Sequence, residues 1–181
     1  MKKILFLAVM GFFCLPAFAQ IISTNKAQVS FYSKTPLEDI EAKSVTGNSV
    51  IDVKSGKIIF RLNNRSFDFP KKLMQEHFNE NYMESDKYPT SEFKGTLSAP
   101  INLAKDGLTK MDVDGTLNVH GVTKPCKAKV DILVSKGIVT ATSTFKIKIA
   151  DHKIDIPTIV FKKIAEEIDV RVQATYSEKK S

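Results

Sequence analysis

Apolar and polar residues alternate with a period of two over residues 29–176 of this chain, with one helical interruption. One run is Phe93, Gly95, Leu97, Ala99, Ile101, Leu103, and others take every second residue from Met111 to Val119 and from Cys126 to Val134. Two more run from Val139 to Ile149 and from Ile168 to Tyr176. Successive side chains of a strand point to opposite faces, so each run is one face turned to a common interior, with Lys, Asp, Thr and Asn on the other. The pattern dictates antiparallel sheet with one wet face, and function must then lie inside the sheet or at its rim.

The first nineteen residues are of another kind. Lys2 and Lys3 precede an apolar run of about a dozen residues and an Ala17-Phe18-Ala19 cleavage signature, the three parts of a secretory signal peptide. Phe13 before Cys14 does not suit a lipoprotein signal, which requires a small residue there. The expected organisation is therefore a signal peptide, 1–19, and one β-domain, 20–181, that is periplasmic or secreted and has no membrane-spanning segment.

Of the 27 basic residues only Lys2 and Lys3 lie in the leader, and none of the 20 acidic ones does, so cleavage leaves 25 against 20. This mild surplus is spread over outward positions such as Lys127, Lys129, Lys146 and Lys148 and is not clustered with exposed aromatics. Such a distribution suits solubility rather than a nucleic-acid partner. Cys126 is the one cysteine after the leader, which excludes an internal disulfide, and it continues the inward face of Ala128 and Val130. His77, His120 and His152 show no ligand spacing, so no metal is expected, and His120 falls on the polar parity of its strand.

Strands are expected around 27–33, 50–53 and 57–62, with Ser55-Gly56 as the turn between the last two, and 63–69 is less regular. Pro70 stands where a helix can begin, and Leu73, Met74, His77 and Phe78 form a single apolar stripe. From Glu92 the strands follow at hairpin spacing, with turns at 105–107, 121–125 and 136–137. Pro157 and the run Ile159-Val160-Phe161 break the pattern in 155–164. About eight such strands bury their apolar faces by closing into a barrel or by splitting into a sandwich. The inward residues mix Phe93, Leu117 and Phe145 with Gly95, Gly115, Ala128, Ala141 and Ala174. Small inward residues fit either a ligand-holding interior or, at the glycines, simple strand bends.

Residues 115–124, Gly-Thr-Leu-Asn-Val-His-Gly-Val-Thr-Lys, resemble a stretch of the YceI-like family, the lipid- and polyisoprenoid-binding proteins of the bacterial periplasm. Residues 88–93, Tyr-Pro-Thr-Ser-Glu-Phe, are similar to that family's entry into a strand, and 151–157, Asp-His-Lys-Ile-Asp-Ile-Pro, to its loop before the last strands. The resemblance implies an all-β fold, a lipocalin-like antiparallel eight-stranded β-barrel with one short α-helix near one end. It also implies an apolar cavity for an isoprenoid chain such as a polyprenyl or quinone tail, and no catalysis.

A tail of that kind offers only apolar surface, so water removal rather than polar contact would drive binding. Expected lining residues are Phe31, Phe60, Phe93, Leu97, Phe145, Ile147, Val170 and Val172, with Leu73, Met74 and Phe78 of the helix gating one end. Leucine in place of Gly95 or Ala141 is expected to block uptake while sparing the fold. The expected cofactor set is empty apart from a bound polyisoprenoid or quinone-like lipid, and the expected partner is a hydrophobic small molecule or lipid. An outward row of Ile138, Thr140, Thr142 and Thr144 offers a surface for a homodimer. The alternatives are a structural or adhesive envelope protein with a filled core, or an exported enzyme. For the latter, Asp112, Asp114, Asp131, Asp155, Glu166 and Glu167 are available, but with no base or nucleophile at a recognisable spacing.

Overall fold

The computed structural model describes residues 20–35, 39–156 and 164–178. The leader expected at 1–19 and the irregular stretch at 157–163 therefore lie outside the described residues. Eight strands follow one another: β1 (Ile21–Lys34), β2 (Asp39–Asp52), β3 (Lys57–Asn63), β4 (Thr90–Leu97), β5 (Gly107–Val119), β6 (Val122–Ser135), β7 (Ile138–Lys148) and β8 (Glu167–Glu178). Each pairs antiparallel with its neighbours, and β8 pairs with β1 to close an up-and-down barrel. Closure leaves no strand edge for a second chain to extend. One short helix, α1 (Lys72–His77), lies in the β3–β4 connection and runs on into a π turn, Phe78–Tyr82.

The outward face follows the sequence parity and is organised by register. Asp112 lies opposite Lys129 and Asp114 opposite Lys127 across β5 and β6, with ion pairs of 2.5 and 2.6 Å. Lys110–Asp131, Lys146–Asp169 and Lys148–Glu167 repeat the arrangement at 3.6–4.0 Å. Directly opposed charges help to pin the register, although pairs this exposed contribute at most about 1 kcal/mol each.

Four local expectations need correction. β2 spans fourteen residues rather than residues 50–53 alone, because its buried face is Ala42, Ser44, Gly47, Ser49 and Ile51, too small and polar to register as an apolar alternation. The run through Leu103 is not one strand: β4 stops at Leu97 before Pro100, Ala99 is exposed, and Ile101 reaches the interior from a loop whose amide donates to the Val53 carbonyl. The β5–β6 turn is His120-Gly121 rather than 121–125, with both residues at positive φ, +51° and +71°. Those values match the tight hairpin turn whose twist suits the flanking strands. His120 therefore escapes strand parity and is buried rather than wet.

The two ends of the barrel differ. At one end the β2–β3, β4–β5 and β6–β7 connections enclose a packed plug, in which Ile22, Ile51, Val53, Ile132, Val139 and Tyr176 are all at most 2% exposed. At the other end the β3–β4 and β7–β8 connections are long, and a second apolar cluster surrounds Phe31, Leu62, Phe67, Phe69 and Val170. The first end is a stopper, and the second holds the site.

Candidate functional site

Between the plug and the helix the interior is hollow. The cavity measures about 530 Å³, within the roughly 300–1,000 Å³ typical of ligand pockets. Its wall explains why it stays open. Phe60, Phe93, Cys126, Ala128, Ser143, Phe145, Ile147 and Val172 all line it, yet each is only half-buried, as side chains beside an open space are. A filled core would have buried them, so the interior is not that of the filled-core alternative.

All eleven residues expected at the cavity lie on its wall: Phe31, Phe60, Phe93, Leu97, Phe145, Ile147, Val170 and Val172 from the strands, and Leu73, Met74 and Phe78 from the helix and the π turn. Leu73 is also 61% exposed, so it marks the mouth. Sequence reading missed Phe67 and Phe69, placed in the less regular stretch. Asp68 forms a two-bond bridge to Lys43 of β2, with N···O distances of 2.8 and 3.1 Å, and this isolated pairing turns the rings on either side inward. Phe31, Phe67, Phe69 and Phe78 then meet with centroids 5.1–5.8 Å apart, mostly edge-on or tilted. The Phe-Asp-Phe alternation at 67–69 was the available signal.

Several polar groups in the wall are turned to the protein. Asn64 donates to the Tyr88 carbonyl and accepts from Ser91, and Ser143 donates to the Lys129 carbonyl at 2.7 Å. Among the described residues no buried side-chain polar atom lacks a partner. Burial pushes the Cys126 thiol up, as does nearby Asp114, so this inward cysteine is an inert wall group. At the floor Ser49 donates to the Ile59 carbonyl at 3.1 Å, so the Tyr176 hydroxyl must donate to Ser49, at 2.8 Å. Ser49→Ala strands a buried phenol and is expected to cost about 1–3 kcal/mol, more than the roughly 1 kcal/mol of Tyr176→Phe, as urea denaturation would show.

Burial also pushes Tyr176 from 10.0 to about 12. The neutral phenol favours the folded state, so this stabilisation is complete below pH 10 and is lost between pH 10 and about 12. The loss is on the order of 2–3 kcal/mol, and Tyr176→Phe is expected to flatten it in thermal melts across that range.

Each of the three sequence fragments that carried the family resemblance gives residues to this wall, Phe93, Leu117 and Ile154 among them. They also meet beside it. The Tyr88 ring packs edge-on against His120, 4.5 Å between centroids, and over Gly121, where a Cβ would come within 2.5 Å of it. His120 donates through Nδ1 to the His152 carbonyl at 3.1 Å, and its Nε2 lies 2.8 Å from the Glu84 carboxylate. His152 in turn donates through Nδ1 to the Val122 carbonyl. These residues bolt the β3–β4 connection, the β5–β6 turn and the segment after β7 together at the open end. Among the described residues no group of His, Cys, Asp or Glu could hold a metal, and none of the six candidate catalytic carboxylates lines the cavity.

The fold has solved relatives at low identity. A polyisoprenoid-binding domain from Saccharophagus degradans, implicated in plant cell wall breakdown, superposes with a TM-score of 0.75 at 15% identity, covering 90% of this chain and all of that one. BcnA of Burkholderia cenocepacia gives 0.70 at 16%, covering 84% and 96%. A YceI protein of Campylobacter jejuni gives 0.59 at 19% over the whole of both chains. No curated protein sequence matches the chain. The YceI-like domain model matches residues 21–176, which takes in every strand but the last two residues of β8, and the chain belongs to the YceI-like family.

Proposed function

We propose that this protein is an exported carrier that encloses the apolar chain of an isoprenoid-type lipid, a polyprenyl or quinone tail, and performs no chemistry on it. The carrying observation is the hollow, mostly apolar cavity, with wall polar groups such as Asn64, Ser91 and Ser143 bonded to the protein. Such a site rewards a ligand for shedding water at about 0.8 kcal/mol per buried CH₂, so about ten buried carbons supply roughly 8 kcal/mol before the cost of immobilisation. The eleven lining residues are proposed as the ligand contacts, with Phe67 and Phe69 added at the mouth. The Saccharophagus domain, of the same fold and described as polyisoprenoid-binding, supports this choice of ligand class.

Export to the periplasm rests on the sequence of residues 1–19 and on family membership. Among the described residues no helix is long and apolar enough to cross a membrane. A homodimer would have to form through outward side chains, where Leu108 and Leu133 face one another across β5 and β6 and Ile138 is exposed nearby. Organic extraction of protein purified from its own host, with native mass spectrometry, tests the carrier reading: a co-purifying isoprenoid of one chain class is expected. A clean apoprotein that also refuses added polyprenol would end it.

A further inference from the structure

At the floor of the cavity the hydroxyl donors are already used, Tyr176 on Ser49 and Ser49 on the Ile59 carbonyl. A guest whose polar end accepts hydrogen bonds therefore keeps that end at the mouth and its tail in the barrel. The polar side chains of the wall differ in what they can still offer. Ser33 accepts from the Ala165 amide at 2.9 Å, Asn64 and Ser91 bond to one another, and Glu92 is held by Arg61 and Lys94. Lys71 has a partner as well. His77 and Tyr82 line the cavity too, and among the described residues neither makes a side-chain hydrogen bond. Five residues apart, they would stand about 140° apart around an α-helix. The π turn Phe78–Tyr82, closed by the Met83 amide on the Phe78 carbonyl at 2.8 Å, winds wider and brings both to the same wall. Turns of this kind recur at functional sites. Tyr82 is half-buried and His77 exposed, and burial pushes the Tyr82 phenol up, so at neutral pH its hydroxyl is a donor.

The wall also limits the charge of the head. Apart from His77, its charged side chains among the described residues are one lysine and one carboxylate, Lys71 and Glu92. That is no surplus of cations for a diphosphate, whose burial calls for several. We infer that Tyr82, assisted by His77, holds the head of the guest at the mouth, and that this head is uncharged and offers a hydrogen-bond acceptor such as a carbonyl oxygen. The inference rests on the carrier reading and specifies the end of the guest that the apolar wall does not select.

Three guests with one farnesyl chain test it: the hydrocarbon farnesene, the ketone farnesylacetone and farnesyl diphosphate. The mature protein is equilibrated with their mixture, isolated by gel filtration and extracted, and the bound guests are quantified by mass spectrometry. Ketone is expected to predominate and diphosphate to be scarcest. Tyr82→Phe keeps the ring and removes the donor, so the bound ratio of ketone to hydrocarbon should fall roughly five- to tenfold with the amount of bound hydrocarbon unchanged. His77→Leu should lower the ratio about twofold, since water competes at an exposed group. The Tyr82→Phe protein should melt like the parent, because its hydroxyl has no protein partner to lose. A lowered midpoint, an unchanged ratio, or loss of hydrocarbon together with ketone would overturn the role given to Tyr82. Diphosphate bound as well as ketone would overturn the uncharged head. Hydrocarbon and ketone bound equally by the parent would end the inference and leave the carrier reading standing. If none of the three is taken up, the carrier reading falls and the inference with it.

Discussion

Replacing Ala128 by Phe is expected to lower chain uptake at least a hundredfold, to below detection, while leaving the thermal midpoint within a few degrees of the parent. Ala128 sits on β6 opposite Val113 with its methyl on the cavity wall, and it is half-buried only because the space before it is empty. In a close-packed core an added ring forces off-rotamer neighbours and costs about 1–3 kcal/mol. Here it enters space that otherwise holds the guest and gains contacts the wall lacks. Ala141→Leu, on β7 and also in the wall, should act in the same direction with a smaller group. Titration with a fluorescent alkenyl chain and differential scanning calorimetry read the two quantities independently. Unchanged uptake, or a fall in stability of the size a filled core would give, would contradict a hollow interior.

Gly115→Ala is expected to do the reverse, damaging the fold before the cavity. Gly115 pairs with Gly95 across β4 and β5, and a Cβ there would lie 2.1 Å from the Lys94 carbonyl oxygen and 2.5 Å from the Gly95 Cα. Both obstacles are backbone, so no rotamer change relieves them. The two strands must move apart, at an expected cost of about 3 kcal/mol or more and roughly ten degrees in midpoint. Gly95 is no better as a cavity probe, because its Cβ would meet the Phe93 ring at 2.6 Å and the Asp114 carbonyl at 2.8 Å. The expectation that Gly95→Leu blocks uptake while sparing the fold is therefore corrected: of the pair first chosen only Ala141 remains a probe, a wall residue that is itself buried in the plug cluster. A Gly115→Ala protein that melts like the parent would show that the two strands can part cheaply.

The fragments most recognisable in sequence also supply wall residues, Phe93, Leu117 and Ile154 among them, but the side chains that made them recognisable are others. Tyr88, His120 and His152 are polar or aromatic groups at turns, where a specific backbone shape demands particular side chains and leaves a readable trace. The wall needs only apolar groups of suitable size, and many sequences satisfy that. Phe67 and Phe69 were missed for a related reason: the Phe-Asp-Phe alternation is short, and their inward aim depends on a two-bond bridge to Lys43, some twenty-five residues earlier in the chain.

Local periodicity by itself was enough to determine that this chain is antiparallel sheet with one apolar face, because alternation at a period of two is a property of each strand alone. It also placed Phe31, Phe93, Phe145 and Val170 on the inward side and Asp112, Asp114 and Asp131 on the outward one. Whether those faces would meet or leave room was decided only when β8 paired with β1. Closure sets the distance between opposite walls, and that distance, compared with the reach of the side chains, is a sum over all eight strands that no single stretch of sequence contains.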